Sequence, residues 1–192
     1  MKTKAIVLAA GRSSRMGVNK LLLIFDGKPV IEHILDTLAG FETIVVTGHR
    51  REDIKDTVRR RGAETVYNPE YDEGMTTSFK AGLRAVGTDV DAVFMVISDT
   101  FGFKPSILKE MITKMESTDA SLVSPVYEGK RGHPVLVSSK LFPEFINISE
   151  NETMKDIMLR HEHQFVEGDM WTRIDLDTPE DYKRLKKLWA NR

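Results

Sequence analysis

The sequence contains no cysteine. Disulfide scaffolds, thiol nucleophiles, cysteine-ligated zinc and iron–sulfur clusters are excluded together, and a reducing compartment fits. No apolar run approaches the roughly 20 residues that span a bilayer. Neither sign of charge is in excess: 28 lysines and arginines stand against 29 acidic residues, a formal net charge of −1. That balance provides no electrostatic footprint for nucleic acid or for a membrane surface. Internal repeats, low-complexity tracts and linker-like stretches are also missing. The basic start Met1-Lys2-Thr3-Lys4 before Ala5–Ala10 has the polarity of a secretory signal. The apolar run is too short for one, and it leads into Gly11-Arg12-Ser13-Ser14-Arg15 rather than a small-residue cleavage site. It reads as a buried strand, and the chain as cytoplasmic.

What is present suits one large domain, residues 1–192, of ordinary globular composition: 41% hydrophobic and 30% charged. Ala5–Ala10 is apolar throughout, as expected of a central parallel strand covered on both faces. Thr43–Thr47, Thr65–Tyr67, Ala92–Ile97, Ser121–Ser124, Pro134–Val137 and Thr172–Leu176 read as further strands. Between them lie helical patterns at Pro29–Ala39, Arg51–Arg61, Thr76–Val86, Pro105–Met115, Thr153–His161 and Pro179–Ala190. Glu128–Gly132 reads as a turn. The alternation predicts an α/β domain with a mostly parallel sheet, some antiparallel pairing late in the chain, and helices on both faces. Ligands of such sheets bind outside the carboxyl ends of the strands.

The first of those ends is the richest. Gly11–Lys20 holds two glycines, two serines and three cations directly after a buried strand. Glycine lets backbone N–H groups approach an anion, and successive N–H groups form a phosphate-binding concavity. The physical reading is a polyphosphate cradle; a solvated basic loop is the alternative. It is neither a P-loop nor a dinucleotide fingerprint, because the glycine spacing fits neither and Val18 stands where the P-loop lysine would be.

The motif Leu8-Ala9-Ala10-Gly11-x-Ser13-x-Arg15-Met16-Gly17-x-x-Lys20-Leu21-Leu22-Leu23, followed by Gly27-Lys28-Pro29, resembles the opening of the MobA-like nucleotidyltransferases. The resemblance continues through Val45-Val46-Thr47-Gly48, Asn68-Pro69-x-Tyr71-x-x-Gly74-Met75-x-x-Ser78, Arg131-Gly132-His133-Pro134-Val135 and Asp175-Leu176-Asp177-Thr178-Pro179-Glu180-Asp181-Tyr182. It therefore covers nearly the whole chain. It implies a three-layer Rossmann-like nucleotidyltransferase fold. Leu-Ala-Ala-Gly, where guanylyl-transferring members carry Leu-Ala-Gly-Gly, resembles the branch that moves cytidylyl groups onto the molybdopterin cofactor.

The resemblance implies roles residue by residue. Arg15 and Lys20 would be catalytic. Leu8, Ala9, Ala10, Gly11, Arg12, Ser13, Gly48, Asn68, Gly74, Met75 and Ser78 would bind nucleotide, and Gly132 and His133 would face the second substrate. Asp99, at the carboxyl end of the apolar strand, would bind Mg²⁺, with Asp175 as second ligand. Asp99 could equally be a turn or capping residue by position alone. Thr178, Pro179 and Asp181 have a structural explanation as N-cap, first-turn proline and N3 acid. His161 and His163 read as surface residues rather than a metal pair, and Arg59-Arg60-Arg61 as a solvated helix end.

Two departures from the family stand out. Asp-x-Pro in relatives is here Asp99-Thr100-Phe101-Gly102. The Gly-Asp-x-Gly-Ala-Arg segment of molybdopterin-using relatives is replaced by Ser149-Glu150-Asn151-Glu152-Thr153-Met154-Lys155-Asp156. The expected activity is Mg²⁺-dependent transfer of a nucleotidyl group, from CTP first of all, to a phosphorylated small-molecule acceptor such as molybdopterin, with pyrophosphate released. Neither nucleic acid nor membrane is an expected partner. A guanylyltransferase or sugar- or polyol-phosphate nucleotidyltransferase of the same fold, or a non-catalytic nucleotide-binding module, are the alternatives.

Overall fold

Strand β1 (Thr3–Ala9) is apolar from Ala5 onward because both its faces are covered. Ala5, Val7 and Ala9 join one core cluster while Ile6 and Leu8 join another, the period of two that a strand imposes. The computed structural model describes residues 1–149 and 151–192. After β1 come the small hairpin β2 (Ile24–Phe25) and β3 (Lys28–Pro29), then α1 (Val30–Thr37), β4 (Thr43–Thr47), α2 (Glu52–Arg60), β5 (Glu64–Tyr67), α3 (Met75–Val86), β6 (Ala92–Ile97) and α4 (Ser106–Thr118). The late part holds β7 (Leu122–Tyr127), β8 (Lys130–Arg131), β9 (Val135–Ser138), α5 (Phe142–Ile146), α6 (Met154–Arg160), β10 (His163–Glu167) and α7 (Pro179–Ala190).

The main sheet has the order β10-β7-β9-β6-β1-β4-β5, with β8 added to β7. β1 pairs in parallel with β4 and β6, β4 with β5, and β7 with β10. β9 runs antiparallel to both β6 and β7. Buried residues of α1, α2, α4 and α7 belong to one core cluster, and those of α3, α5 and α6 to the other. The result is the three-layer arrangement with mixed pairing that the alternation predicts. No helix among the described residues is long and apolar enough to cross a membrane. α3 packs unusually close to β1: a Cβ on Gly82 would come 2.5 Å from the Ile6 side chain. Glycine is required there by proximity rather than by backbone angle.

One expected strand is absent, and one strand is present that the sequence pattern does not predict. Thr172–Leu176 is not a strand. Asp169 accepts a hydrogen bond from Trp171 N at 3.0 Å, and the Thr172 hydroxyl donates to the Asp169 carbonyl at 2.6 Å. These bonds wind Met170–Arg173 into a 3₁₀ turn, and the chain then runs extended without ladder partners into α7. The edge strand is instead β10, whose residues are half-buried or exposed and none buried, so it carries no clean apolar alternation. Arg59, Arg60 and Arg61 are exposed at the end of α2, as expected, and Arg61 also pairs with Glu32 and, at 2.6 Å, with Asp36, tying that end to α1. Of the segment that departs from molybdopterin-using relatives, Glu150 lies outside the described residues. Thr153 and Asp156 there form the capping box that starts α6.

His161 and His163 hold separate partners, and both are half-buried rather than fully on the surface. His161 Nε2 meets Glu144 at 2.6 Å, and His163 Nε2 meets the Ser124 hydroxyl at 2.8 Å. Arg131 can only donate, so His163 Nδ1 accepts from it and Nε2–H donates to Ser124. Burial and the Arg131 charge push the His163 imidazole down to about 4, from an ordinary value near 6.5. Between those limits the unfolded chain binds the proton and the folded one does not, so stability falls as pH drops from about 6.5 toward 4. In urea titrations across that range, His163→Gln is expected to lose stability less steeply than wild type. Parallel pH profiles for the two proteins would refute a native neutral imidazole.

Candidate functional site

The loop after β1 is organised around Ser13. Its backbone sits in the left-handed region at φ 51°. Its carbonyl accepts from the amides of Met16 (3.0 Å) and Gly17 (3.2 Å), and its hydroxyl from the Lys20 amide (3.3 Å). Met16 and Leu21 are buried and pin the far side. Nothing lies within 4 Å of where a Gly11 Cβ would stand, so that backbone is open to an approaching ligand.

The loop forms one wall of a cavity of about 290 Å³. Gly11, Ser13, Ser14, Arg15 and Lys20 line that wall. Leu8 and Ala10 at the end of β1, and Ile97, Ser98 and Asp99 at the end of β6, form the floor. Tyr71 and the start of α3 (Gly74, Met75, Ser78) form another side, and Asp177 completes it. No side chain caps the first turn of α3, so its orphan amides and the positive end of its dipole favour an anion.

Lys20 is the electrostatic centre. Its Nζ stands 3.2 Å from Asp99 Oδ2 and 3.3 Å from Asp177 Oδ1. Asp177 Oδ2 also takes Arg15 at 2.7 Å. The other oxygen of Asp99, Oδ1, is buried with no hydrogen-bond partner. An orphan carboxylate oxygen beside a second carboxylate is a donor set that suits a hard divalent cation. Among the described residues no group of three or more metal-capable side chains comes together. Such an ion would therefore draw further ligands from phosphate oxygens and water, the habit of Mg²⁺.

Of the residues the sequence singled out, Leu8, Ala10, Gly11, Ser13, Arg15, Lys20, Gly74, Met75, Ser78 and Asp99 meet at this cavity. Ala9 is buried in the core instead. Arg12 turns to Asp72, with Nε to Oδ1 at 2.6 Å and Nη2 to Oδ2 at 2.5 Å, which clamps the loop to the turn before α3. This hydrogen-bonded pair holds the Asp72 carboxyl below the usual carboxylate range. Asn68 is buried and brackets the same turn, donating to Thr77 (2.9 Å) and Ser78 (3.1 Å) and accepting from Glu70 N (3.1 Å). Gly48 lets Tyr71 reach the wall: a Cβ there would lie 2.5 Å from that side chain.

Asp175, Gly132 and His133 line a separate small cavity of about 90 Å³. Ile97 borders both spaces. Gly132 N donates to Pro125 O and His133 N to Thr172 O, both at 2.8 Å, and a side chain on Gly132 would collide with Thr172. Burial lowers the affinity of His133 for a proton, against the pull of Asp99, and its Nδ1 has no partner. The Asp175 carboxyl is pushed up by burial and by the charges of Asp99, Asp177 and Asp181.

Sequence reasoning passes over Asp177, Tyr71 and Ser98 as cavity residues. Tyr71 lies inside the motif that runs from Asn68 to Ser78. Asp177 shares its alternation with Asp175, so spacing alone could not separate the two.

Comparison with known proteins shows the family. The family model described as the MobA-like NTP transferase domain matches residues 5–165. Molybdenum cofactor cytidylyltransferase of Escherichia coli K12 is 30% identical over 190 residues, covering 96% of each chain. A nucleotidyl transferase from Methanothermobacter superposes with a TM-score of 0.82 at 25% identity, covering 98% of both chains. A Mycobacterium tuberculosis H37Rv protein, solved in complex with manganese, superposes at 0.78 with 24% identity, covering 97% of this chain and 99% of its own. The chain belongs to the MobA-like NTP transferase family and is a nucleotidyltransferase.

Proposed function

We propose that the chain transfers a cytidylyl group from CTP to a phosphorylated small-molecule acceptor, a molybdopterin cofactor first among them, and releases pyrophosphate. One observation carries the reading: the Lys20 ammonium, bracketed by Asp99 and Asp177, sits in a cavity walled by a glycine-opened loop and the uncapped start of α3. Support for cytidine comes from Leu8-Ala9-Ala10-Gly11 and from the name of the E. coli relative.

In this reading an acceptor phosphate oxygen attacks the α-phosphorus in line. The new phosphorus–oxygen bond forms as the α–β bridge breaks, and pyrophosphate leaves with the bonding pair. A phosphate is already nucleophilic at neutral pH, so no strong general base is needed. Catalysis then rests on positioning and charge neutralisation. Lys20 and Arg15 leave their carboxylate partners for the α-phosphate and the departing pyrophosphate. Gly11, Ser13 and the α3 amides hold the triphosphate, and Met75 and Ser78 border the nucleoside. Gly132 and His133 face the acceptor from the adjoining space. Mg²⁺ held by Asp99, with Asp177 or Asp175 as second carboxylate, would supply charge neutralisation on phosphate oxygens.

Thermal shifts with Mg²⁺ and each of the four nucleoside triphosphates test the nucleotide. CTP at a hundred times its Kd is expected to raise Tm by about 5–10 °C, with smaller shifts from GTP, ATP and UTP. Pyrophosphate release on adding phosphorylated acceptors then tests turnover. A larger shift with GTP moves the reading to guanylyl transfer. A CTP shift with no turnover on any acceptor identifies a binding module.

A further inference from the structure

The loop that replaces the family's Asp-x-Pro is anchored in an unusual way. Phe101, two residues beyond Asp99, is fully buried. Its ring stacks on Trp189 near the end of α7, with centroids 5.6 Å apart at 30°. It also meets Phe25 edge-on at 4.8 Å. Trp189 in turn lies edge-on to Trp171 at 4.9 Å. Gly102 is fitted to the same ring: its φ is +81°, and a Cβ there would come 2.5 Å from Trp189.

The other carboxylate is tied to the same helix. Asp177 immediately precedes Thr178, the N-cap of α7, and Thr178 and Asp181 close a reciprocal capping box. α7 thus holds Asp177 at its first turn and, through Trp189, the Asp99 loop near its last. A rigid helix 12 residues long joins the two. Besides this anchor, Asp99 Oδ2 meets the Lys20 ammonium at 3.2 Å, a partner that itself comes from a loop. Thr100 N donates to Ile97 O at 3.2 Å, and one carboxylate oxygen has no partner.

We propose that Phe101 and Trp189 are positioning residues for nucleotidyl transfer: their stacked rings set Asp99 against Asp177, so α7 fixes the spacing of the two carboxylates. The proposal rests on the reading of Asp99 and Asp177 as groups that meet the metal–nucleotide complex. It accounts for the loss of proline from the loop, because aromatic packing supplies the rigidity that a fixed φ would otherwise give.

The test compares Trp189→Leu, Trp189→Phe and a control, Phe145→Leu. Phe145 is more deeply buried than the half-buried Trp189 and belongs to the core cluster on the opposite face of the sheet. Each protein is assayed for thermal stability, for kcat and nucleotide KM, and for the Mn²⁺ concentration giving half-maximal rate. Mn²⁺ binding in the presence of CTP is followed separately by loss of the free-ion electron paramagnetic resonance signal. Trp189→Leu is expected to lower kcat about ten- to hundredfold and to raise the Mn²⁺ requirement several-fold, with nucleotide KM nearly unchanged. Trp189→Phe, which keeps a stacking ring, restores most of both. Phe145→Leu loses stability but keeps the wild-type Mn²⁺ requirement. The proposal is overturned if Trp189→Leu keeps the wild-type Mn²⁺ requirement, or if the Phe145 control shifts it equally. Wild-type protein that turns over no nucleotide would sink the functional reading instead, and the Mn²⁺-binding comparison would still judge the anchor.

Discussion

Lys20→Ala is expected to lower kcat for nucleotidyl transfer by about 10²–10³-fold, the usual cost of removing one preorganised group aimed at developing charge. The lysine is well placed for so large an effect. Its side chain is 13% exposed, so its charge acts in a medium much less polarisable than bulk water. It comes from a loop fixed at both ends: the Ser13 hydroxyl accepts from its amide, and the next residue, Leu21, is buried. The folded state loses little. Both partner carboxylates keep some solvent access, at 19% and 27%, and Asp177 retains Arg15. A stability loss of about 1 kcal/mol follows, a change in Tm of roughly 2–4 °C. Lys20→Arg is expected to recover only part of the rate, because a planar guanidinium cannot occupy the same position between two carboxylates 3.2 and 3.3 Å away. Steady-state kinetics alongside a melting curve check both statements. Wild-type turnover in the Lys20→Ala protein would remove this lysine from the mechanism.

The parts of the fold that were legible in the sequence are those decided by local patterning. β4 and β6 match residue for residue because each is an unbroken apolar or β-branched run between breakers. α7 matches because Thr178, Pro179 and Asp181 write its start into the chain. β10 was not legible, since one of its faces meets solvent and the partners of His163, Ser124 and Arg131, lie far off in sequence. The glycine-and-cation loop that walls the cavity was legible because its residues are contiguous. The parts of the site assembled from distant segments were not. Asn68 and Gly48 sit within matching motifs, yet Asn68 braces the turn before α3 and Gly48 makes room for Tyr71. The aromatic anchor joins residues 25, 101, 171 and 189, and no local window contains it.

The choice between Asp175 and Asp177 is the sharpest case, and it yields the second large effect. The two residues differ by one alternation step, and Leu176 between them is fully buried. Their surroundings are nevertheless different. Asp177 borders the larger cavity and pairs with both Lys20 and Arg15. Asp175 borders the smaller one, pairs with no cation among the described residues, and feels repulsion from Asp99, Asp177 and Asp181. Asp177→Asn is therefore expected to cut kcat/KM by about a hundredfold or more, close to the effect of Asp99→Asn, and to raise the Mn²⁺ requirement. Asp175→Asn is expected to stay within about threefold of wild type, the range of a lost neighbour charge rather than a lost ligand.

The two variants also part on stability. The folded-state carboxyl of Asp175 is raised above its ordinary value, so the folded chain holds that proton more tightly than the unfolded one. Stability from this group is present at low pH and lost as pH rises through the raised value. Asp175→Asn removes that loss and should melt higher than wild type at neutral pH. Asp177→Asn strips a partner from two cations and should not. Rates and melting curves for the three variants decide the matter: a hundredfold loss from Asp175→Asn with Asp177→Asn near wild type would move the second carboxylate of the site back to the smaller cavity.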